Sequence, residues 1–201
     1  MENSNDLFPV FFKLEELRIL LVGGGSVANE KLNAIITNSP RTQIRVVAPK
    51  IGDAIIELAN ANTSIKIERR HFSVLDLYEA DLVFVAVNDL WLSQFIRNEA
   101  RKLRLLVNVA DTPKLCDFYL SSVVKKNDLK IAISTNGKSP TFAKRLKEVI
   151  DANLPDETQT SIINLHLLRE ELKGNFREKV IELNKVTASL IPPGHKDHSL
   201  N

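Results

Sequence analysis

The chain contains a single cysteine, Cys116, among 201 residues. That excludes an intrachain disulfide framework and fits a reducing compartment, so a cytoplasmic protein is expected. Long hydrophobic runs are also missing. The longest, near 19–22 and 82–87, fall far short of the roughly 20 apolar residues that span a bilayer, and no membrane partner is expected. Charge of one sign is lacking too: 27 Lys and Arg against 25 Asp and Glu leave a net +2. So small a balance argues against a nucleic-acid partner. His71, His166, His195, His198 and Cys116 show no ligand-like spacing, and no metal site is expected. Neither a Walker loop nor a nucleophile elbow occurs. Residues 1–6 are polar and acidic, unlike a secretory signal. What remains, 44% hydrophobic and 26% charged, is the composition of a soluble globular protein with room for one domain and a smaller appendage.

Glycine is scarce as well, seven in all, yet three stand together. Ile19-Leu20-Leu21-Val22 runs into Gly23-Gly24-Gly25-Ser26-Val27-Ala28, and a helical pattern follows through Leu32, Ile35 and Ile36. Strand, tight turn and helix in that order fit the G-x-G-x-x-A dinucleotide fingerprint as Gly23, Gly25 and Ala28. Gly23 permits the turn, Gly25 lets backbone approach a pyrophosphate, and Ala28 lets the helix pack closely on the strand. Free N–H groups near Ser26 and Val27 are placed to meet phosphate oxygens.

Further along, strands at 44–48, 65–68, 82–87 and 105–109 alternate with helices at 52–60 and 90–103, the latter capped by Asp89. This predicts an α/β fold with a Rossmann-type doubly wound parallel sheet. Phe8-Pro9-Val10-Phe11-Phe12 reads as a segment tied down on that sheet. Beyond 112 the pattern changes. Strands at 118–125 and 129–134 around Lys126-Asn127-Asp128 read as an antiparallel hairpin, and Ser139-Pro140 starts a helix. Two more helical patterns follow, one through Ile162 to Leu172, the other through Phe176 to Leu190. The second stops at Pro192-Pro193, and residues 195–201 read as a frayed tail. No internal repeat is present.

Three places carry candidate chemistry. The second strand ends Val47-Ala48-Pro49-Lys50, without the acid that usually holds the adenosine ribose. Backbone or another side chain must serve instead, and Lys50 would tolerate a 2′-phosphate. Asn88-Asp89 and Asn108-Val109-Ala110-Asp111 follow the fourth and fifth strands, on the rim where such sheets bind ligands. Asp111 reads either as a general base beside a nicotinamide or as a turn or capping residue. Gly137-Lys138-Ser139-Pro140 reads either as an anion site or as a plain helix cap. Arg69-Arg70-His71, Lys125-Lys126 and Arg145 are candidates for a basic pocket or a solvated face.

Taken together, Phe8-Pro9-Val10-Phe11, the glycine motif, Val46-Val47-Ala48-Pro49, Asn108-Val109-Ala110-Asp111, Cys116-Asp117-Phe118 and the run from Ile131 to Pro140 resemble the precorrin-2 dehydrogenase family. This family includes the N-terminal module of siroheme synthases. The resemblance covers residues 8 to about 150, and it accounts for the missing ribose acid. It implies a Rossmann domain over 1–112, a hairpin-containing dimerisation region over 113–150, and a small C-terminal helical domain over 151–201. It also implies a homodimer that oxidises the tetrapyrrole precorrin-2 to sirohydrochlorin with NAD, on the route to siroheme. By the resemblance, Asp111 is the catalytic residue. The resemblance places the cofactor at Gly23, Gly24, Gly25, Ser26, Val27, Pro49 and Lys50 and the substrate beside Ser139. Rim position adds Asn88 to the expected cofactor residues, and rim position and charge add Asn108 and Lys138 to the expected substrate residues. A methyltransferase domain is not expected in 201 residues. Two alternatives stand beside the dehydrogenase: a bifunctional dehydrogenase and sirohydrochlorin ferrochelatase, and a non-catalytic NAD-sensing module.

Overall fold

Strands β1 (Arg18–Val22), β2 (Gln43–Val47), β3 (Ile65–Glu68), β4 (Leu82–Val85) and β5 (Leu106–Val109) form one parallel sheet in the order β3-β2-β1-β4-β5. The structure, a computed structural model, describes residues 5–188. Strand order reverses between β1 and β4, which opens a crevice at their carboxyl ends. Past Arg18 both strands are apolar because both of their faces are covered. Ile19 and Leu21 pack on one side with Ala28, Leu32 and Ile35 of α1 (Ser26–Asn38) and Ile55 of α2 (Asp53–Ala61). Leu20 and Val22 pack on the other with Leu77, and with Ile96 and Ala100 of α3 (Leu90–Lys102). Successive side chains therefore feed two separate cores. Asp89 caps α3 as expected, its Oδ1 accepting from the Leu92 N–H at 3.0 Å.

β5 is an edge strand, and its free side would offer unpaired backbone groups. The chain following it lies along that edge and covers it. The Asp117 N–H donates to Val107 O at 2.8 Å, and Asp117 Oδ2 accepts from the Val107 N–H at 3.1 Å. Cys116 Sγ accepts from the Val109 N–H at 3.2 Å and donates to Val109 O at 3.0 Å. The strand expected at 118–125 begins only at Ser122; before it, Phe118 O is held by Asn108 of β5 at 2.8 Å. The aromatic segment near the N-terminus is likewise less anchored than its composition suggests. Phe12 meets Phe118 edge-on at 6.3 Å, whereas Phe8 and Phe11 are exposed.

Asp81 joins the turn before β4 to the start of β1. Its carboxylate accepts from the Arg18 guanidinium at 2.8 and 2.9 Å and from the Arg18 N–H at 2.8 Å. The side-chain bond first, then the backbone bond, holds its pKa down at about 2. A carboxyl so depressed contributes its full stability above the unfolded value of about 4 and loses it as pH falls through that window. Asp81→Asn should therefore melt at a temperature less sensitive to acidification below about pH 4 than the parent chain. Thermal scans at neutral and acid pH measure the difference, and parallel curves would refute it.

The chain divides into two compact units. The first holds the parallel sheet up to Ser121 together with Ser134–Pro140. The second holds the antiparallel hairpin β6 (Ser122–Lys126) and β7 (Leu129–Ile133) with the chain from Thr141 onward. The region expected over 113–150 thus contributes to both units. α4 (Pro140–Asn153) starts at its proline, and α5 (Thr158–Glu171) and α6 (Phe176–Thr187) follow. Asp128 ties the hairpin to α5, its N–H donating to Gln159 Oε1 at 3.1 Å and its Oδ2 accepting from Gln159 Nε2 at 2.7 Å. Leu190, the stop at Pro192-Pro193 and the tail at 195–201 lie outside the described residues. Among the described residues no helix is long and apolar enough to cross a membrane.

Candidate active site

The glycine turn is squeezed between the exits of β2 and β4. Gly23 has φ +132°, and a Cβ there would stand 2.2 Å from Ala86 O. A Cβ on Gly24 would stand 2.1 Å from Lys50 O, and Gly24 O accepts from the Gly52 N–H at 2.9 Å. Gly24 is therefore needed for packing, a demand the fingerprint does not state because it leaves that position open. Gly25 is the reverse case. A Cβ there would meet nothing within 4 Å, and the residue forms the N-cap of α1 without a side-chain acceptor. No N-cap side chain thus occupies the N-terminus of α1, where the helix dipole favours an anion.

A cleft of about 1190 Å³ opens at this point. Gly23, Gly24, Gly25, Ser26, Val27, Pro49, Lys50, Asn88 and Asp111 all line it, so the structure brings together every expected cofactor residue and the expected catalytic one. His71, Phe72, Ala86, Val87 and Thr112 are also among the residues of its wall. Of these, His71 had a sequence signal only as part of a basic run, and Phe72 had none. Asp111 has φ +56°, a left-handed conformation that few residues other than glycine adopt and that Asp and Asn tolerate best. The turn is closed on both sides, the Ala110 N–H donating to Val85 O at 2.9 Å and the Thr112 N–H to Val109 O at 3.4 Å. Strained backbone at a cleft wall marks a candidate functional residue.

The expected substrate residues lie elsewhere. Asn108 is only 5% exposed and does not line the cleft. Its Nδ2 donates to Phe118 O at 2.8 Å and reaches Cys116 Sγ at 3.7 Å. An asparagine inside a strand points to the side opposite its neighbours, and here that side faces the returning chain rather than the rim. Lys138 and Ser139 sit in a tight turn with Asn136 and Gly137 at φ +54° and +73°. Their backbone N–H groups donate to Thr135 O and Oγ1 at 3.0 and 3.1 Å. Neither lines the cleft; Lys138 is exposed and Ser139 half-buried.

Several candidate cations are already paired. Arg70 binds Asp76 at 2.6 and 2.9 Å and also Glu68. Burial works to raise the Asp76 carboxyl pKa, but the Arg70 and Ser73 hydrogen bonds outweigh it and hold the value low. Arg145 binds Glu148 at 2.8 Å, and Lys126 binds Leu154 O and Asp156. Among the described residues no group of three or more His, Cys, Asp or Glu stands close enough to hold a metal ion.

A reversed-order parallel sheet with a glycine turn, an open helix N-terminus and a cleft above them defines a dinucleotide-binding α/β protein. Residues 10–122 match the family described as putative NAD(P)-binding, and residues 126–153 match that described as sirohaem biosynthesis protein central. The chain belongs to the putative NAD(P)-binding family, and it is similar to siroheme synthases and to a precorrin-2 dehydrogenase. It is 33% identical to the siroheme synthase of Psychrobacter arcticus, over 86% of this chain and 30% of that protein. It is also 33% identical to siroheme synthase 3 of Aeromonas hydrophila subsp. hydrophila, over 85% of this chain and 36% of that one. The chain thus spans about a third of the length of these relatives. A solved structure of SirC, precorrin-2 dehydrogenase, superposes with a TM-score of 0.70 at 26% identity, covering 90% of this chain and 89% of that one.

Proposed function

We propose that this chain oxidises precorrin-2 to sirohydrochlorin, with NAD as the hydride acceptor, on the route to siroheme. The observation that carries the reading is the shared wall of one cleft by the glycine turn and the strained Asp111. NAD, when bound, supplies the acceptor for the hydride. The turn from Gly23 to Val27 and the first N–H groups of α1 hold the pyrophosphate, while Pro49, Lys50 and Asn88 border the remainder of the cofactor. The Asp111 carboxylate accepts the proton that the tetrapyrrole loses as its hydride leaves. Lys138 and Ser139 receive substrate carboxylates. The cytoplasm is the proposed compartment, consistent with a lone cysteine engaged as a hydrogen-bonded thiol.

NAD is favoured over NADP because the arginine beside a cleft residue is already engaged. A 2′-phosphate is usually met by an arginine, and Arg70, next to the cleft residue His71, is occupied by Asp76 and Glu68. Calorimetric titration should show NAD binding more tightly than NADP; equal affinity would remove this preference. If precorrin-2 is then added without oxygen, an enzyme consumes it, whereas an NAD-sensing module leaves it unchanged. Adding ferrous ion to the product tests for a second activity, since insertion faster than the uncatalysed rate would make the chain bifunctional.

The protein is also proposed to be a homodimer joined through residues of the 113–150 region. A two-stranded hairpin is marginal alone, and Phe142 and Val149 on α4 are 60% and 58% exposed. Light scattering at micromolar concentration should give twice the chain mass. A monomer would refute this assembly.

A further inference from the structure

Asn108, Asp111 and Cys116 all belong to the first compact unit and meet around one short turn. Cys116 Sγ lies 3.0 Å from Val109 O, 3.2 Å from Val109 N, 3.5 Å from Thr112 O and 3.7 Å from Asn108 Nδ2. Those contacts touch the chain on both sides of Asp111, whose own backbone is left-handed at φ +56°. Asn108 holds the returning segment in place by donating to Phe118 O at 2.8 Å. Neither side chain lines the cleft, so neither meets a ligand there directly.

We propose that Asn108 and Cys116 form one positioning unit, fixing the 109–112 turn and thereby the direction in which the Asp111 carboxylate faces the cleft. This rests on the reading of Asp111 as the base for precorrin-2 oxidation. A strained backbone persists only where its surroundings over-determine it, and here the surroundings are a thiol with four polar neighbours and an amide that locks its segment. Burial keeps the thiol pKa above its ordinary value despite the Val109 N–H bond. The sulfur is therefore S–H at neutral pH and available as the donor to Val109 O. The same property makes it a poor nucleophile.

The test uses Cys116→Ala, Cys116→Ser and Asn108→Ala, each alone and with Asp111→Asn. Misplacing a catalytic group by about an ångström costs up to about 10²-fold. Cys116→Ala and Asn108→Ala should each lower kcat by about 10- to 100-fold with KM for NAD nearly unchanged. Cys116→Ser, which keeps a donor and an acceptor, should recover most of the loss. In the Asp111→Asn background the same alanine changes should have almost no further effect, because they act through the carboxylate. Equal losses in both backgrounds would overturn the proposal, and so would a rise in KM with kcat intact. Amide hydrogen exchange gives a readout that needs no substrate. Exchange at residues 109–112 should quicken in Cys116→Ala and slow again in Cys116→Ser, and unchanged exchange overturns the proposal. A parent chain that fails to oxidise precorrin-2 would contradict the functional reading, and exchange would still decide whether the unit holds the turn.

Discussion

Asp111→Asn should lower precorrin-2 turnover by about 10²–10⁴-fold, the usual contribution of a positioned base. Asparagine has nearly the same shape and is the other side chain that tolerates a left-handed backbone. The turn at φ +56° should therefore survive the change, and only the ability to accept a proton is lost. NAD affinity should stay within about twofold, because the pyrophosphate is held by the glycine turn and the N-terminus of α1 rather than by this carboxylate. Steady-state kinetics and a binding isotherm on the same preparation separate the two effects. A folded variant with near-parental turnover would remove Asp111 from the mechanism, leaving the proton to another rim group or to water.

Gly25→Asp should abolish NAD binding and leave the fold as stable as before or slightly more so. Gly25 has extended backbone, and a Cβ added there would have no neighbour within 4 Å, so a side chain fits without displacing anything. As the N-cap of α1, an aspartate would accept from the first-turn N–H groups, and Asp is among the best residues there. Those are the groups the pyrophosphate needs. A carboxylate and a phosphate about 4 Å apart repel by about 4 kcal/mol at a surface-like dielectric, which corresponds to an affinity loss on the order of 10²–10³-fold. Gly24→Ala is the contrasting variant. Its Cβ would meet Lys50 O at 2.1 Å, so backbone must move and stability should fall by about 1–3 kcal/mol. Melting curves with and without NAD distinguish the pair. If Gly25→Asp still binds NAD at parental affinity, the pyrophosphate does not lie where the fingerprint puts it.

The sheet was legible because buried parallel strands are written as apolar runs, and Ile19 to Val22 joined to three glycines is hard to read otherwise. Asp111 was legible as a polar residue following the fifth strand, although only the backbone angle distinguishes it from an ordinary turn residue. Gly24 was less so. Its constraint comes from Lys50, a contact made by tertiary packing and not by any local pattern. The covering of β5 was hidden for a related reason. Bonds from Cys116 and Asp117 side chains to strand backbone have no periodicity, so Phe118 to Ser121 read as more strand. Asn108 misled because a polar residue near a strand's carboxyl end looks like rim, whereas alternation turned it toward the returning chain. The N-terminal aromatics misled by density: apolar composition signals burial only where a surface is available, and of that segment Phe12 finds one on Phe118.

The proposed dehydrogenation needs the glycine cleft and Asp111 together. The most direct measurement mixes the purified chain with precorrin-2 and NAD in the absence of oxygen and follows reduced nicotinamide and sirohydrochlorin in the same sample. The two products should appear together, one for one, at a rate that Asp111→Asn suppresses. NAD bound to the parent chain while precorrin-2 stays unoxidised, or sirohydrochlorin formed without matching reduced nicotinamide, would contradict this.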